Sequence, residues 1–177
     1  MKSLYTLLIV SFFLTIAASP LLTTFQLNSS EAAVEFEINN MGVSVDGSLS
    51  SPSGTVVFDP ADLGNSSVNA TVNVSTIDTG IEARDKDLKK EEYFDVEKYP
   101  TIRFRSTSIT KTNKGYQATG KLTIKGMTKN ISIPFTVENN VFKGRFTIDR
   151  LDYHVGEDSW ILSDEVRVKF TLPVNEK

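Results

Sequence analysis

Hydrophobic residues at every second position dominate this sequence and constrain its fold more than any other feature. In the segment AVEFEI, Val34, Phe36 and Ile38 fall on one face, with glutamates between them. The same alternation recurs at residues 68–74, 101–106, 116–124, 131–137, 142–148 and 166–170. Side chains of a β-strand point to opposite faces in turn, so each segment is predicted to be a strand with one apolar and one polar face.

Turn-forming residues separate these segments. They occur at Asp46-Gly47 and at residues 52–54, 113–115 and 139–140. Short connections of this kind suit antiparallel neighbours, and a series of strands with little helix predicts a sandwich or a barrel.

Two glycines favour a closed barrel over a sandwich. Gly120 and Gly144 fall on inward faces by alternation, where a strand bends or an interior cavity needs room. Closure also removes the exposed strand edges that promote aggregation. Pro134 points the other way, because it cannot donate a ladder hydrogen bond and therefore marks a bulge or an edge. We expect an all-β, antiparallel barrel of about eight strands.

One short helix is predicted, in the segment TGIEARDKDLKKEEYF. Thr79 and Glu82 have the spacing of a capping box, and most of the other positions are charged. Large rings follow at Tyr93, Phe94 and Tyr99. We expect the helix to hold this aromatic segment against one end of the barrel and close it. The alternative is that the rings complete the core with no ligand involved.

The amino-terminal residues are predicted to be an export signal. Lys2 precedes an apolar run over residues 7–18, which is short for a membrane span of roughly 20 residues. We assign residues 1–23 to a signal peptide, with the cleavage point left open, and residues 24–177 to a single periplasmic or secreted domain. An uncleaved membrane anchor is the alternative. Because the chain has no cysteine, it has neither disulfides nor a site for lipoprotein acylation.

The charge distribution argues against a nucleic-acid partner. The net charge is -3, and acidic and basic residues are interspersed along the chain. Nucleic-acid binding requires a basic patch or stripe, which this sequence lacks.

Catalytic and metal-binding chemistry finds little support. Nucleophilic catalysis requires a base beside the nucleophile, and His154 is the only imidazole. The stretch DYHVGED brings Asp152, His154, Glu157 and Asp158 together without a recognisable metal-ligand spacing. We interpret it as a surface loop, and we expect no enzymatic activity, no catalytic residue, no metal and no cofactor apart from a bound lipid. A hydrolase that uses His154 is the alternative.

Two long segments resemble a known family. IDTGIEARDKDLKKEEYFDVEKYPTIRF (residues 77–104) is similar in order and spacing to the D-T-G, R-D, L, F-F-D-V, K-Y-P and F pattern of the YceI-like family. TGKLTIKGMTKNISIPF (residues 119–135) resembles its G-x-L-T-I-x-G-x-T-K segment. Three places depart from the pattern. Tyr93 stands where the family usually has Phe, His154 stands where it usually has Gly, and the first strand, FQLNSSEAAVEF, keeps little of the family's Asp and His-Ser pair. The resemblance implies an exported bacterial protein with an extended lipocalin-like barrel that binds a polyisoprenoid lipid.

If the barrel is hollow, its inward side chains are the predicted ligand-binding residues. They are Phe36, Ile38, Val72, Val74, Leu88, Tyr93, Phe94, Ile102, Phe104, Leu122, Ile124, Phe135, Phe146, Val168 and Phe170. Burial gains about 0.8 kcal/mol per CH₂, so a long isoprenoid or similar amphiphilic lipid would bind there without specific hydrogen bonds. We therefore expect a non-catalytic carrier or sequestering protein with no stable membrane span. A stress or interaction protein with a filled barrel is the alternative, and a homodimer is left open.

Overall fold

The computed structural model describes residues 23–176, which fold almost entirely into strands. The strands are β1 (Thr24–Leu27), β2 (Ala33–Asn40), β3 (Val43–Ser50), β4 (Ser53–Val57), β5 (Ser67–Asn73), β6 (Thr101–Thr112), β7 (Gly115–Ile124), β8 (Met127–Glu138), β9 (Val141–Asp149) and β10 (Leu162–Glu176). The helix α1 (Glu82–Leu88) lies between β5 and β6, and 3₁₀ helices cover Leu63–Asn65, Val74–Thr76 and Leu151–Tyr153. The predicted signal peptide, residues 1–23, lies outside the described residues apart from Thr23.

Eight of these strands close into an antiparallel barrel in the order β1-β4-β5-β6-β7-β8-β9-β10, with β10 returning to β1. The long strand β10 makes this possible because its two halves have different neighbours. Its last residues pair with β1, with Leu27 opposite Val174, whereas its earlier part pairs with β2, with Phe36 opposite Val168. The predicted all-β barrel of about eight strands is confirmed, and the hairpin β2–β3 adds two further strands to it.

The hairpin β2–β3 forms part of one end of the barrel, which we call the open end. The other parts of the open end are α1, the end of β9 and the loop that leads into β10. The free edge of β3 is joined to the segment before α1 by two backbone hydrogen bonds between Ser48 and Asp78, of 2.8 and 3.0 Å. Strand β3 therefore continues the wall of the barrel at this end.

The opposite end, which we call the packed end, is filled by aromatic side chains. The rings of Phe58, Tyr116, Phe135 and Phe142 contact one another, with centroid separations between 4.9 and 6.0 Å. Phe58, Phe135 and Phe142 belong to the largest buried cluster, together with Val56, which is 1% exposed, and Tyr116 packs against that cluster. This end has a conventional close-packed core, in which side chains interdigitate and leave few voids.

Strands β8 and β9 separate at Pro134, which confirms the prediction of an edge at this residue. The two strands pair where Phe135 lies opposite Gly144, and they stay paired towards the turn that joins them. Beyond Pro134 they diverge, and the 3₁₀ helix Leu151–Tyr153 packs against both. Tyr153 is 2% exposed there, so its ring closes the gap between the two strands.

The two inward glycines permit close approaches, as expected, but Gly144 does not leave empty space. A Cβ atom at Gly144 would lie 2.5 Å from Cζ of Phe170 on the neighbouring strand. A Cβ atom at Gly120 would collide with the carbonyl oxygen of Arg105. The room at Gly144 is therefore taken by the Phe170 ring rather than by a cavity.

The predicted helix is too long, and its predicted cap is wrong. Only Glu82–Leu88 is α-helical, and the residues after it form turns. Thr79 lies before the helix begins, so its hydroxyl donates to Asp85 Oδ1 at 2.5 Å rather than forming a box with Glu82. Glu82 instead pairs with Lys86 at 2.7 Å on the solvent face.

One predicted turn is wrong, and another is displaced by about one residue. Gly47 lies inside β3, opposite Phe36, and the chain reverses instead at Met41 and Gly42, which both have positive φ. The turn expected at residues 52–54 exists but lies slightly earlier, because β3 ends at Ser50, Ser51 has positive φ and β4 begins at Ser53. The turns at residues 113–115 and 139–140 are confirmed.

Candidate functional site

The open half of the barrel encloses a cavity of about 530 Å³, bounded by the strands, α1 and the aromatic segment that follows it. A second cavity of about 130 Å³ lies deeper, towards the packed end. The walls of both include a ring of side chains that we call the waist: Val34, Val72, Ile102, Leu122, Phe146 and Val168. Ligand sites in proteins commonly measure roughly 300–1,000 Å³, so the larger cavity has the size of a binding site.

Polarity changes from the inside of this space to the outside. The deeper cavity is lined by apolar side chains with the single exception of Thr71. The polar side chains that line the larger cavity lie at its outer margin. Asn40 ends β2, Arg150 follows β9, and Arg84 belongs to α1. A molecule with an apolar tail and a polar head would therefore match this wall from end to end.

The aromatic segment after α1 forms part of the outer wall. Tyr93 and Phe94 both line the larger cavity, as predicted. The backbone NH of Phe94 donates to the carbonyl of Leu88 at 3.1 Å, and the NH of Gly156 donates to the carbonyl of Glu92 at 2.9 Å. The predicted role of Tyr99 is wrong, because it is absent from the cavity wall and packs against Gly126 in the turn between β7 and β8.

Arg150 organises the loop at the open end. Its side chain is buried, and its guanidinium donates to the backbone carbonyls of Ser163, Val155, Glu157 and Leu162. The same group pairs with Asp164 at 2.9 Å. The NH groups of Arg150 are thus directed at the backbone of the loop. The side chain therefore holds this part of the cavity wall in place.

Tyr153 is a buried residue in the wall of the larger cavity. Burial raises the pKa of its hydroxyl to about 12, and the neighbouring carboxylate of Asp152 adds to the effect. The phenol therefore remains neutral at physiological pH and retains its proton as a hydrogen-bond donor.

The predicted ligand-binding residues divide between the two cavities. Phe36, Ile38, Leu88, Tyr93, Phe94 and Ile124 line the larger cavity; Val72, Ile102, Leu122, Phe146 and Val168 lie at the waist; Phe104, Phe135 and Phe170 line the deeper cavity. Val74 lines neither, because β5 ends at Asn73 and Val74 begins a 3₁₀ helix with its side chain 1% exposed. Ligand contact by any of these residues stays a prediction.

Sequence reasoning missed several wall residues. They include Leu49, Ile77, Ile148, Tyr153, Val155 and Leu162. Ile148 could have been predicted from the sequence, because it continues the alternation of Phe142 and Phe146 in β9. Ile77 and Val155 lie outside strands, where a period of two gives no information about which way a side chain points.

The residues around His154 do not form an extended strand. Asp152 lies in a 3₁₀ helix, and His154 adopts a left-handed conformation with φ of 55°. His154 is exposed, and Asp152 is paired with Lys129 at 2.7 Å. Among residues 23–176, no three His, Cys, Asp or Glu side chains are grouped so that they could hold a metal ion. No α-helix in the described part of the chain has the length and apolarity needed to cross a membrane.

Comparison with known proteins gives consistent matches along the described chain. The family profile described as YceI-like domain matches residues 25–174. A UPF0312 protein of Pectobacterium atrosepticum is 31% identical over 155 residues, which is 81% of each chain. The crystal structure of BcnA from Burkholderia cenocepacia aligns with a TM-score of 0.79 and 32% identity, over 84% of this chain and 99% of BcnA.

A more distant structure shares the fold. It is described as a polyisoprenoid binding domain from Saccharophagus degradans implicated in plant cell wall breakdown. It aligns with a TM-score of 0.67 over 88% of this chain and 99% of that domain, at 13% identity. At that identity the likeness concerns the fold alone.

Proposed function

The chain belongs to the YceI-like family, and on this premise we propose that it binds a long amphiphilic lipid, such as an isoprenoid, with the apolar chain inside the barrel. The observation that carries the proposal is the change in the cavity wall, which is apolar at depth and polar at its outer margin. The tail would lie towards the packed end and the head group at the open end.

The energetics favour a long apolar chain. Each CH₂ transferred from water to the cavity gains about 0.8 kcal/mol, and the deep wall requires no hydrogen bonds from the ligand. The waist sets the path, because a chain that occupies both cavities must pass Val72, Leu122 and Val168. Selectivity for the head group would depend on the outer margin, where polar side chains such as Asn40 and Arg84 lie.

A carrier or sequestering role without chemistry fits this arrangement better than the alternatives. A filled barrel would not enclose 530 Å³ at its open end. A hydrolase based on His154 would require that residue to face the bound molecule, whereas His154 is exposed and lies outside both cavity walls. The Saccharophagus degradans domain of the same fold is described as polyisoprenoid binding, which supports the choice of ligand class.

The proposal includes export to the periplasm or the medium. It rests on the charged start and short apolar run of residues 1–23, the features of a secretory signal. Amino-terminal sequencing of the protein recovered from its native compartment tests this directly. We expect a mature chain that begins close to residue 24, and an intact amino terminus would favour the retained anchor.

Lipid binding is tested with a series of isoprenoid alcohols of increasing length. Delipidated protein is equilibrated with each alcohol in detergent micelles, and occupancy is measured by native mass spectrometry. Affinity should rise with each added isoprene unit and level off once the apolar wall is covered, because the gain follows the buried area. Binding that is absent, or independent of chain length, would contradict the proposal.

A further inference from the structure

Five large apolar side chains are exposed to solvent at the open end. They are Met41, Val43, Ile81, Trp160 and Ile161, with exposures of 71, 66, 53, 94 and 37%. Soluble proteins expose single apolar residues routinely, but a group of them gathered at one place marks an interaction site. Here the place is the margin of the larger cavity.

Backbone contacts bring these residues together. The NH of Met41, in the turn between β2 and β3, donates to the carbonyl of Ile161 at 2.7 Å, which joins that turn to the loop before β10. Asn40 pairs with Val43 on one side and with Leu162 on the other. Asn40, Leu162 and Ile81 all line the larger cavity. We call the five exposed side chains the apolar rim.

We propose that the apolar rim docks on the surface of a lipid bilayer and aligns the cavity with the acyl layer. This inference rests on the proposed function and names where the lipid is exchanged. A long apolar chain that left the bilayer through water would expose each of its CH₂ groups to water, which makes transfer through solution slow. Contact between rim and bilayer removes that step, because the chain passes from one apolar environment to another.

The composition of the rim suits a membrane interface. Tryptophan is enriched at the boundary between lipid and water, where its ring lies at the level of the head groups. Trp160 is almost fully exposed, and it is flanked by the aliphatic side chain of Ile161. Side chains of this type enter the outer part of a bilayer without requiring a partner of matching shape.

The charge around the rim indicates which surface it would meet. Residues 155–166 carry four acidic side chains and no lysine or arginine. Asp164 pairs with Arg150 and Glu165 with Arg167, so the net negative charge of the loop comes from Glu157 and Asp158. Like charges repel, so this loop disfavours an anionic surface and favours a zwitterionic one. A second copy seated on the rim would bring two acidic loops together, which disfavours a dimer at this place.

Trp160 provides a direct test, because it is the only tryptophan in the chain. The purified protein is mixed with vesicles of phosphatidylcholine alone, or with vesicles that also contain phosphatidylglycerol. We expect the Trp160 emission to move to shorter wavelength and to be quenched by brominated acyl chains. The response should be weaker with phosphatidylglycerol present, because of the acidic loop.

Two variants that keep Trp160 identify the rim as the cause. The double variant Met41→Ser with Val43→Ser should lower partitioning onto phosphatidylcholine vesicles by roughly tenfold or more, since two apolar side chains are lost. Lys114→Ser, in the turn between β6 and β7 at the packed end, is the matched control and should partition like the original chain.

Lipid uptake from detergent micelles separates this inference from the proposed function. The double variant should reach full occupancy from micelles yet take up lipid from vesicles about tenfold more slowly. If uptake from micelles is normal but vesicles leave the Trp160 emission unchanged, docking is wrong and the binding function stands. An emission shift that grows with protein concentration in the absence of vesicles would show that a second copy covers the rim, and would overturn the proposal. Failure of the original chain to take up lipid from micelles would contradict the proposed function and, with it, the transfer role of the rim.

Discussion

The guanidinium of Arg150 lies 2.9 Å from the carboxylate of Asp164, and the backbone NH of Arg150 donates to the carbonyl of Asp164 at 2.8 Å. Arg150 is only 4% exposed. The end of β9 and the start of β10 are therefore joined through one buried cation, around which the loop of the open end folds.

Replacing that cation should loosen the open end. In Arg150→Met the apolar stem is retained, but the buried carbonyl oxygen of Val155 and three part-buried carbonyl oxygens lose their donor. A buried acceptor left without its donor typically costs about 1–3 kcal/mol, and several acceptors are affected, so we expect the free energy of unfolding to fall by about 3 kcal/mol. Urea denaturation measures it.

Asp164→Asn is the matched control. The Asp164 side chain is 40% exposed, so water screens its charge, and we expect a loss of about 1 kcal/mol or less. Equal effects of the two substitutions would show that Arg150 acts only as a partner of Asp164 and does not organise the loop.

Narrowing the waist should reduce lipid binding. Val168 lines both cavities, so the larger ring in Val168→Phe would project into the path of the apolar chain. We expect the affinity for a long isoprenoid alcohol to fall by about tenfold or more, equivalent to about 1.4 kcal/mol. Native mass spectrometry of the equilibrated protein measures the change.

Thr136→Phe introduces the same ring on the exposed face of β8 and is the control for Val168→Phe. It should bind lipid as the original chain does. If Val168→Phe folds normally and keeps the original affinity, then the ligand does not pass the waist.

His154 adopts a backbone conformation that suits glycine. Its φ of 55° lies in the left-handed region, which costs a residue with a Cβ roughly 1–2 kcal/mol. His154→Gly should therefore leave stability unchanged or raise it by up to about 1 kcal/mol, because glycine also loses more entropy on folding. His154→Ala keeps the Cβ and should bring no such gain. Thermal unfolding distinguishes the two, and both variants should bind lipid normally unless His154 serves the bound molecule.

The raised pKa of Tyr153 predicts that the protein loses stability at alkaline pH. Its pKa is about 12 in the folded protein and ordinarily about 10, so the folded state holds this proton more tightly than the unfolded state. The contribution is fully present below about pH 10 and is lost as the pH rises towards 12. Tyr153→Phe should show a shallower decline than the original chain over that interval in urea titrations. Identical declines would mean that the hydroxyl is not desolvated.

Most of the barrel could be predicted because long strands with one apolar face repeat a period of two. Strands β7 to β10 follow that period, and their inward residues lie where alternation places them. Strand β6 follows it only as far as Ser106, where a bulge shifts the register so that Ile109 is the buried residue beyond it. Strand β1 has only four residues, and β4 contains Gly54 with φ of 146°, so neither shows enough alternation to be recognised. These two short strands are fixed by their neighbours in the barrel, which a local pattern cannot reveal.

The candidate site was predictable where strands build it and not where turns do. Leu122 and Val168 alternate with polar residues and were found, whereas Tyr153 lies in a 3₁₀ helix whose position depends on the gap between β8 and β9. Val74 was assigned wrongly for the same reason. It lies one residue beyond the end of β5, where the alternation of the strand no longer applies. The apolar rim was likewise missed, since it is assembled from two turns and a helix start that are distant in sequence.

The central claim is that the cavity holds the apolar chain of a lipid, and the most direct test is to identify what the protein carries from its native cells. Protein purified without detergent is extracted with organic solvent, and the extract is analysed by mass spectrometry beside that of Val168→Phe. We predict a long-chain isoprenoid or similar amphiphile at close to one per protein, reduced in the variant. A well-folded protein that yields no lipid, and takes up none when it is offered, would contradict the account.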